Sequence, residues 1–275
     1  MGAPLQKIMM SQYLHTAIQL ATEAAQVVME IRQRGNISQN RKEDRSLVTE
    51  ADLRADQIIR EGLAAFPEHG ILTEEHGLSG HTGSDWVWLV DPLDGTKAYA
   101  KGIAGFSVMV GLLHQGQPCL GVVVDPLEGR IYEAVKGEGA FLTEGGKRVR
   151  LQVSPRKEFS KMPLVLSTGC PEEIIQKVQA QLSVPLCEPI NSVGIKVGVL
   201  VRGEADLYFS HHPVHYWDTA APQAILEEAG GKMTYLDETP LVYDLALRHE
   251  HPKLFLASNG TRHAELVAAI GIANT

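Results

Sequence analysis

Residues 88–99 read WLVDPLDGTKAY: an apolar run, two aspartates three positions apart, a Gly–Thr pair and a lysine. Trp86, Val87, Trp88, Leu89 and Val90 form a buried strand that ends at Asp91, because Pro92 has no N–H to donate to a ladder. Asp94, Gly95 and Thr96 then read as the start of a helix. Amides at such a start lack intrahelical acceptors and can cradle a phosphate, and Gly95 lets the backbone come close. Two aspartates at this spacing offer the oxygen ligands that magnesium prefers. A plain strand-to-turn connection with an aspartate cap has the same local pattern. That plainer reading is taken for DPLEG at 125–129, which lies in a hairpin and lacks the second aspartate and the threonine.

Outward from this stretch, helical and extended patterns alternate. Leu14, Ile18, Ala21, Ala25, Val28 and Ile31 recur at helical steps before a stop at Gly35. A second helix is capped by Thr49, carries Asp52 in its first turn and Ala55, Ile59 and Leu63 on one stripe, and ends by Pro67. GILTEEHG from residue 70 is a short strand closing on Glu74 and Glu75, and residues 106–142 read as a meander with turns at HQGQP, DPLEG and KGEGA. These predict a large, mostly antiparallel sheet backed by helices. The polar, proline-bearing stretch LQVSPRKEFSKMP suggests a boundary, with one α+β subdomain at 1–157 and an α/β subdomain at 158–275. Beyond it, strands are expected at LVLSTG, ADLYFS and LFLASN, and helices at PEEIIQKVQAQL, NSVGIKVGVLVRG, DTAAPQAILEEAGG and RHAELVAAIG.

Composition narrows the function. The 275 residues carry a formal charge of −8, which disfavours nucleic acid as a partner. Three widely spaced cysteines, Cys119, Cys170 and Cys187, form neither a disulfide framework nor a zinc pattern and point to a reducing, cytoplasmic setting. No signal peptide and no transmembrane segment are expected.

Other acids join the first pair. Glu74 can reach the same ion as Asp91 if their strands are neighbours, Asp218 begins the helix in YWDTAAPQAILEEAGG, and KEDRSLVTEAD holds Asp44, Thr49 and Asp52. Each alone fits a turn, a cap or a surface loop. Together, DRSLVTEAD, TEEHG, WLVDPLDGTKAYAK and WDTAAPQAILEEAGG, in this order along a match that covers about residues 15–270, resemble the motifs of the inositol monophosphatase superfamily. Lys97 in DGTK and Lys196 in NSVGIKVGVLVRG resemble its CysQ-type 3′(2′),5′-bisphosphate nucleotidase branch, whereas Ala98 and Tyr99 depart from it.

The resemblance implies a layered α/β/α/β/α fold of the inositol monophosphatase and fructose-1,6-bisphosphatase type, with the site between two subdomains. It implies lithium sensitivity and two or three Mg2+ ions on Glu74, Asp91, the Leu93 carbonyl, Asp94 and Asp218. Asp44 and Thr96 are the candidates for orienting the attacking water, and Gly95 and Thr96 amides for holding the phosphate, with Glu74, Leu93, Asp94 and Asp218 around it. Lys196 is expected to meet a second phosphate. The implied reaction is hydrolysis of adenosine 3′,5′-bisphosphate to AMP, with an inositol or sugar phosphate as the alternative substrate and a homodimer among the assemblies open to the chain.

Overall fold

The computed structural model describes residues 3–35, 39–41, 47–246 and 249–273. In chain order the elements are α1 (Ala3–Gln33), β1 (Gln39–Arg41), β2 (Leu47–Thr49), α2 (Glu50–Leu63), β3 (Gly70–Thr73), β4 (Gly77–Gly80), β5 (Trp86–Asp94), α3 (Thr96–Ala100), β6 (Ser107–His114), β7 (Gln117–Asp125), β8 (Arg130–Val135), β9 (Gly139–Glu144) and β10 (Lys147–Arg150). They continue as α4 (Glu172–Leu182), α5 (Val193–Val201), β11 (Leu207–Phe209), α6 (Tyr216–Glu228), β12 (Lys232–Tyr235), β13 (Phe255–Ser258) and α7 (His263–Ala273).

The strand carrying the two aspartates has apolar side chains on both faces, and each face is covered by helices. Val87 and Leu89 of β5 pack into a core with Trp217, Ala220 and Ile225 of α6 and Val197 of α5. Trp88 and Val90 pack into another with Ala17 and Ala21 of α1 and Ile59 of α2. Side chains alternate between strand faces, so a continuous apolar run requires two covers. Among the described residues the main sheet has eight strands in the order β10-β9-β8-β7-β6-β5-β3-β4. Its pairings are antiparallel except β3 with β5. A second sheet, β11-β13-β12, repeats the device. Phe255 and Ala257 of β13 face the α5/α6 core, while Leu256 joins Leu207, Val178 of α4 and Leu266 of α7. The layers therefore run α1/α2, main sheet, α5/α6, small sheet, α4/α7, an α/β/α/β/α sandwich.

Two glycines let α6 lie close to the main sheet. A Cβ on Gly121 of β7 would sit 2.9 Å from Ala221 Cα, and one on Gly111 of β6 would sit 2.9 Å from Ala221 N. Such approaches to backbone leave nothing flexible to yield. We expect Gly121→Ala to lose about 2–3 kcal/mol of unfolding free energy in urea titration. Parent-like stability in that variant would mean that α6 can retreat without cost.

Several boundaries differ from those expected. β5 does not stop at Asp91: its pairing with β6 is interrupted between Asp91 and Asp94 and resumes at Asp94 opposite Ser107. Pro92 occupies the irregularity, which is where a strand tolerates a missing N–H. LVLSTG is not a strand. Leu164 makes isolated parallel bridges to Leu186 and Leu207, and Pro163 before it has no N–H to extend a ladder. The strands β10 and β12 were not expected, because KRVR and KMTY are only four residues long, too short for a pattern to be read as a strand.

Candidate active site

Asp91 and Asp94 flank the irregularity in β5, and α6 brings in Asp218. One carboxylate oxygen from each lies within 4.8 Å of the others. Asp91 and Asp94 are buried. Each is oriented by backbone or side-chain donors. Asp91 Oδ1 accepts from Leu93 N at 3.0 Å. Asp94 Oδ2 accepts from Ser192 Oγ at 2.6 Å and Gly194 N at 2.9 Å, both at the start of α5. Asp218 Oδ2 accepts from His215 N at 2.7 Å. Asp218 is the third residue of α6 rather than its first, because its side chain reaches back to the amide preceding the helix.

Burial raises the pKa of all three carboxyls. For Asp91 the charges of Glu74, Asp94 and Asp218 add to it, and for Asp218 those of Asp94 and Glu74. In Asp94 the Ser192 and Gly194 bonds and the Lys196 charge oppose the rise. A buried set of repelling oxygens with one buried lysine beside it has the chemistry of a hard divalent cation site. The residues therefore fit a magnesium-type ion. Among the described residues the cluster that can hold a metal contains aspartates only, with none of the nearby histidines.

Glu74 follows β3, whose parallel pairing places it beside β5, and its amide donates to Val90 O at 3.2 Å. It lines the same cavity of about 490 Å3 as Asp91, Leu93, Asp94 and Asp218. Gly95, with φ of 90°, turns the chain into α3. That conformation suits glycine, and a Cβ there would also meet Phe106 Cα at 3.1 Å.

Thr96 Oγ1 lies 3.0 Å from both Asp52 Oδ1 and the Leu93 carbonyl. The acid bonded to Thr96 among the described residues is thus Asp52, and Asp44, the acid expected from sequence, lies outside them. Asp52 is fixed from behind, where its Oδ2 accepts from Thr49 N at 2.9 Å and Thr49 Oγ1 at 2.5 Å. Burial pushes its carboxyl up to about 6, with the Glu74 charge adding and the Thr49 bonds opposing. The signal for Asp52 was in the sequence as the Thr49-x-x-Asp52 spacing of a capping box.

The cavity wall also carries Lys97, Ser167, Thr168, Gly169, Asn191, His211 and His212. Lys97 is exposed. Lys196 is fully buried, and its Nζ donates to Ser167 Oγ at 2.7 Å, Asn191 O at 2.9 Å and Ile190 O at 3.2 Å. It also sits 4.4 Å from the Tyr208 ring centre. Burial lowers its pKa to about 8, against the pull of Asp94 and Asp218. A direct contact with a second phosphate would require Nζ to exchange one of these acceptors. His215 is stacked on Trp217, with ring centres 4.5 Å apart.

A family model described as the inositol monophosphatase family matches residues 9–271. The chain belongs to that family. Its members are phosphatases acting on small phosphorylated substrates. The chain is 35% identical to the 3′(2′),5′-bisphosphate nucleotidase CysQ of Salmonella typhimurium, over 82% of this chain and 94% of the relative. It is 33% identical to the histidinol-phosphatase of Chlorobaculum parvum, over 81% and 85%. The solved inositol monophosphatase of Anabaena is 28% identical, covers 96% of each chain and superposes with a TM-score of 0.77. Among the described residues no helix is long and apolar enough to cross a membrane.

Proposed function

We propose that this member of the family is a magnesium-dependent phosphomonoesterase that removes the 3′-phosphate of adenosine 3′,5′-bisphosphate. The observation that carries the reading is the convergence of Asp91, Asp94 and Asp218 on the cavity that is also lined by Thr96, whose hydroxyl bonds the buried Asp52. Glu74, Asp91, the Leu93 carbonyl, Asp94 and Asp218 would hold two or three Mg2+ ions. Bound there, the ions supply charge neutralisation at the phosphoryl and leaving oxygens and acidify water.

The protein's own groups do the rest. Thr96 Oγ1 has one proton, which it gives to Asp52 or to the Leu93 carbonyl, leaving its lone pairs to accept from the attacking water. Asp52, held by Thr49, fixes that hydroxyl and receives proton density as attack proceeds. The amides of Gly95 and Thr96, at the cap and the first residue of α3, can bind phosphoryl oxygens. Attack is in line, inverts phosphorus and forms no phosphoenzyme.

Support for a bisphosphate comes from Lys97 on the cavity wall, Lys196 behind it, and the nucleotidase relatives. A monophosphate reading has its own support: Lys196 already satisfies three acceptors within the chain. Two measurements separate them. Phosphate release compared across adenosine 3′,5′-bisphosphate, inositol 1-phosphate and histidinol phosphate should favour the first, and a preference for either monophosphate overturns the nucleotidase reading. Lys196→Ala should lower kcat/KM for the bisphosphate by about ten- to a hundredfold and spare 3′-AMP. Equal losses on both substrates would assign Lys196 to ordering the 190–192 turn, whose Ser192 holds Asp94.

A further inference from the structure

We propose that His251 is a positioning residue for Asp218, holding the first turn of α6 against the repulsion of the other carboxylates. The inference rests on the metal-site reading of Asp91, Asp94 and Asp218. A carboxylate forced to within 4.8 Å of two others needs a restraint when no cation balances them, and the amide of His215 supplies one directly, at 2.7 Å from Asp218 Oδ2, with the His215 ring 3.9 Å from the same oxygen. That amide belongs to a segment pinned by residues 249–251. Tyr216 N donates to His249 O at 2.9 Å, His251 N donates to Val214 O at 2.8 Å, and His215 bridges Glu250.

The His251 side chain adds the fixed point. It is 1% exposed. Its Nε2 lies 2.7 Å from the Thr219 hydroxyl, on the residue after Asp218, and its Nδ1 lies 2.9 Å from Tyr235 OH of β12. Thr219 Oγ1 is also 3.1 Å from Tyr243 OH, which donates to Gln223 one turn further along α6. The imidazole thus ties the beginning of α6 to the small sheet. Burial lowers its pKa to about 3. It is therefore neutral at working pH, with one ring N–H and one lone pair for its two hydroxyl partners. A buried network with its members paired fixes one geometry.

The test is Mn2+ affinity, read from the free-ion electron paramagnetic resonance signal at pH 7.5, alongside urea unfolding. His263 is the matched control: it is buried, bonded to Thr234 and Ser258, and remote in sequence from the α6 start. His251→Ala should weaken Mn2+ binding at least about tenfold, His251→Gln should recover most of it, and His263→Ala should stay within about twofold of the parent. Parent-like affinity in His251→Ala, or losses in both alanine variants that simply track stability, overturns the proposal. If His251→Ala does not unfold cooperatively, Thr219→Val breaks the contact from the other side, with Thr219→Ser expected to restore affinity and equal affinity in the two contradicting it. A parent that binds no Mn2+ would instead refute the metal-site reading beneath.

Discussion

Asp94→Asn is expected to reduce turnover by about three orders of magnitude or more, equivalent to about 4 kcal/mol of barrier, while the protein stays folded. The substitution removes charge without volume. Its amide oxygen can still accept from Ser192 Oγ and Gly194 N, the donors that orient Asp94 in the parent. A fold defect and a metal defect therefore separate cleanly. In the parent, Mg2+ should raise the melting temperature, because a cation that binds only the folded state stabilises it by mass action. In Asp94→Asn that increment should shrink or vanish, whereas the melting temperature in chelator should not fall, since one of three mutually repelling carboxylates has been neutralised. Parent-like turnover in the variant would remove Asp94 from the metal set.

Asp52→Asn carries the second large effect. The expected loss is about 10²–10⁴-fold in kcat with little change in KM, the pattern of an interaction made in the transition state. Asp52 bonds the Thr96 hydroxyl and not the Gly95 and Thr96 amides of the phosphate cradle, so ground-state binding has no reason to suffer. The pH profile gives an independent reading. Burial pushes the Asp52 carboxyl up to about 6, and only its ionised form can take up the proton that Thr96 passes on. The parent rate should fall as pH drops through about 6, and that limb should be absent in the asparagine variant and in Thr96→Val. The stability sign runs the other way. An unfolded aspartate loses its proton near 3.9, so between roughly 4 and 6 the folded state holds more protons and Asp52 destabilises the fold as pH rises through that window. A KM effect alone in Asp52→Asn would show that the Thr96 pair only binds phosphate.

The sequence announced the strands and helices that bury one continuous apolar pattern. WVWLV was readable because a strand covered on both faces has no polar interruptions, α1, α2 and α4 because their apolar stripes repeat at helical steps, and α6 as a capped run of small and apolar residues. β10 and β12 were illegible because they are four residues long and gain their strand form from a neighbour. The acids at 91, 94 and 218 and the Gly–Thr turn were legible as types and spacings, and adjacency of β3 and β5 was named as the condition that brings Glu74 alongside, though not that the pairing is parallel. Asp52 was passed over for the other acid in its segment, although its spacing from Thr49 is a capping pattern. Its second role needs a partner 44 residues away, which no local pattern reports. Lys196 shows the reverse problem. Its charge was visible, but that Nζ ends among two backbone carbonyls and Ser167 depends on how the 190–192 turn folds over α5. Likewise nothing in KMTY or in the 249–251 segment signals that β12 and His251 steady the helix that carries Asp218.

The most direct test is phosphate release from adenosine 3′,5′-bisphosphate by the purified protein, measured first with excess Mg2+, then after chelation, then with Mg2+ restored. The account predicts release in the first and third conditions and none in the second. Release that persists through chelation would contradict it, as would no release in any of the three.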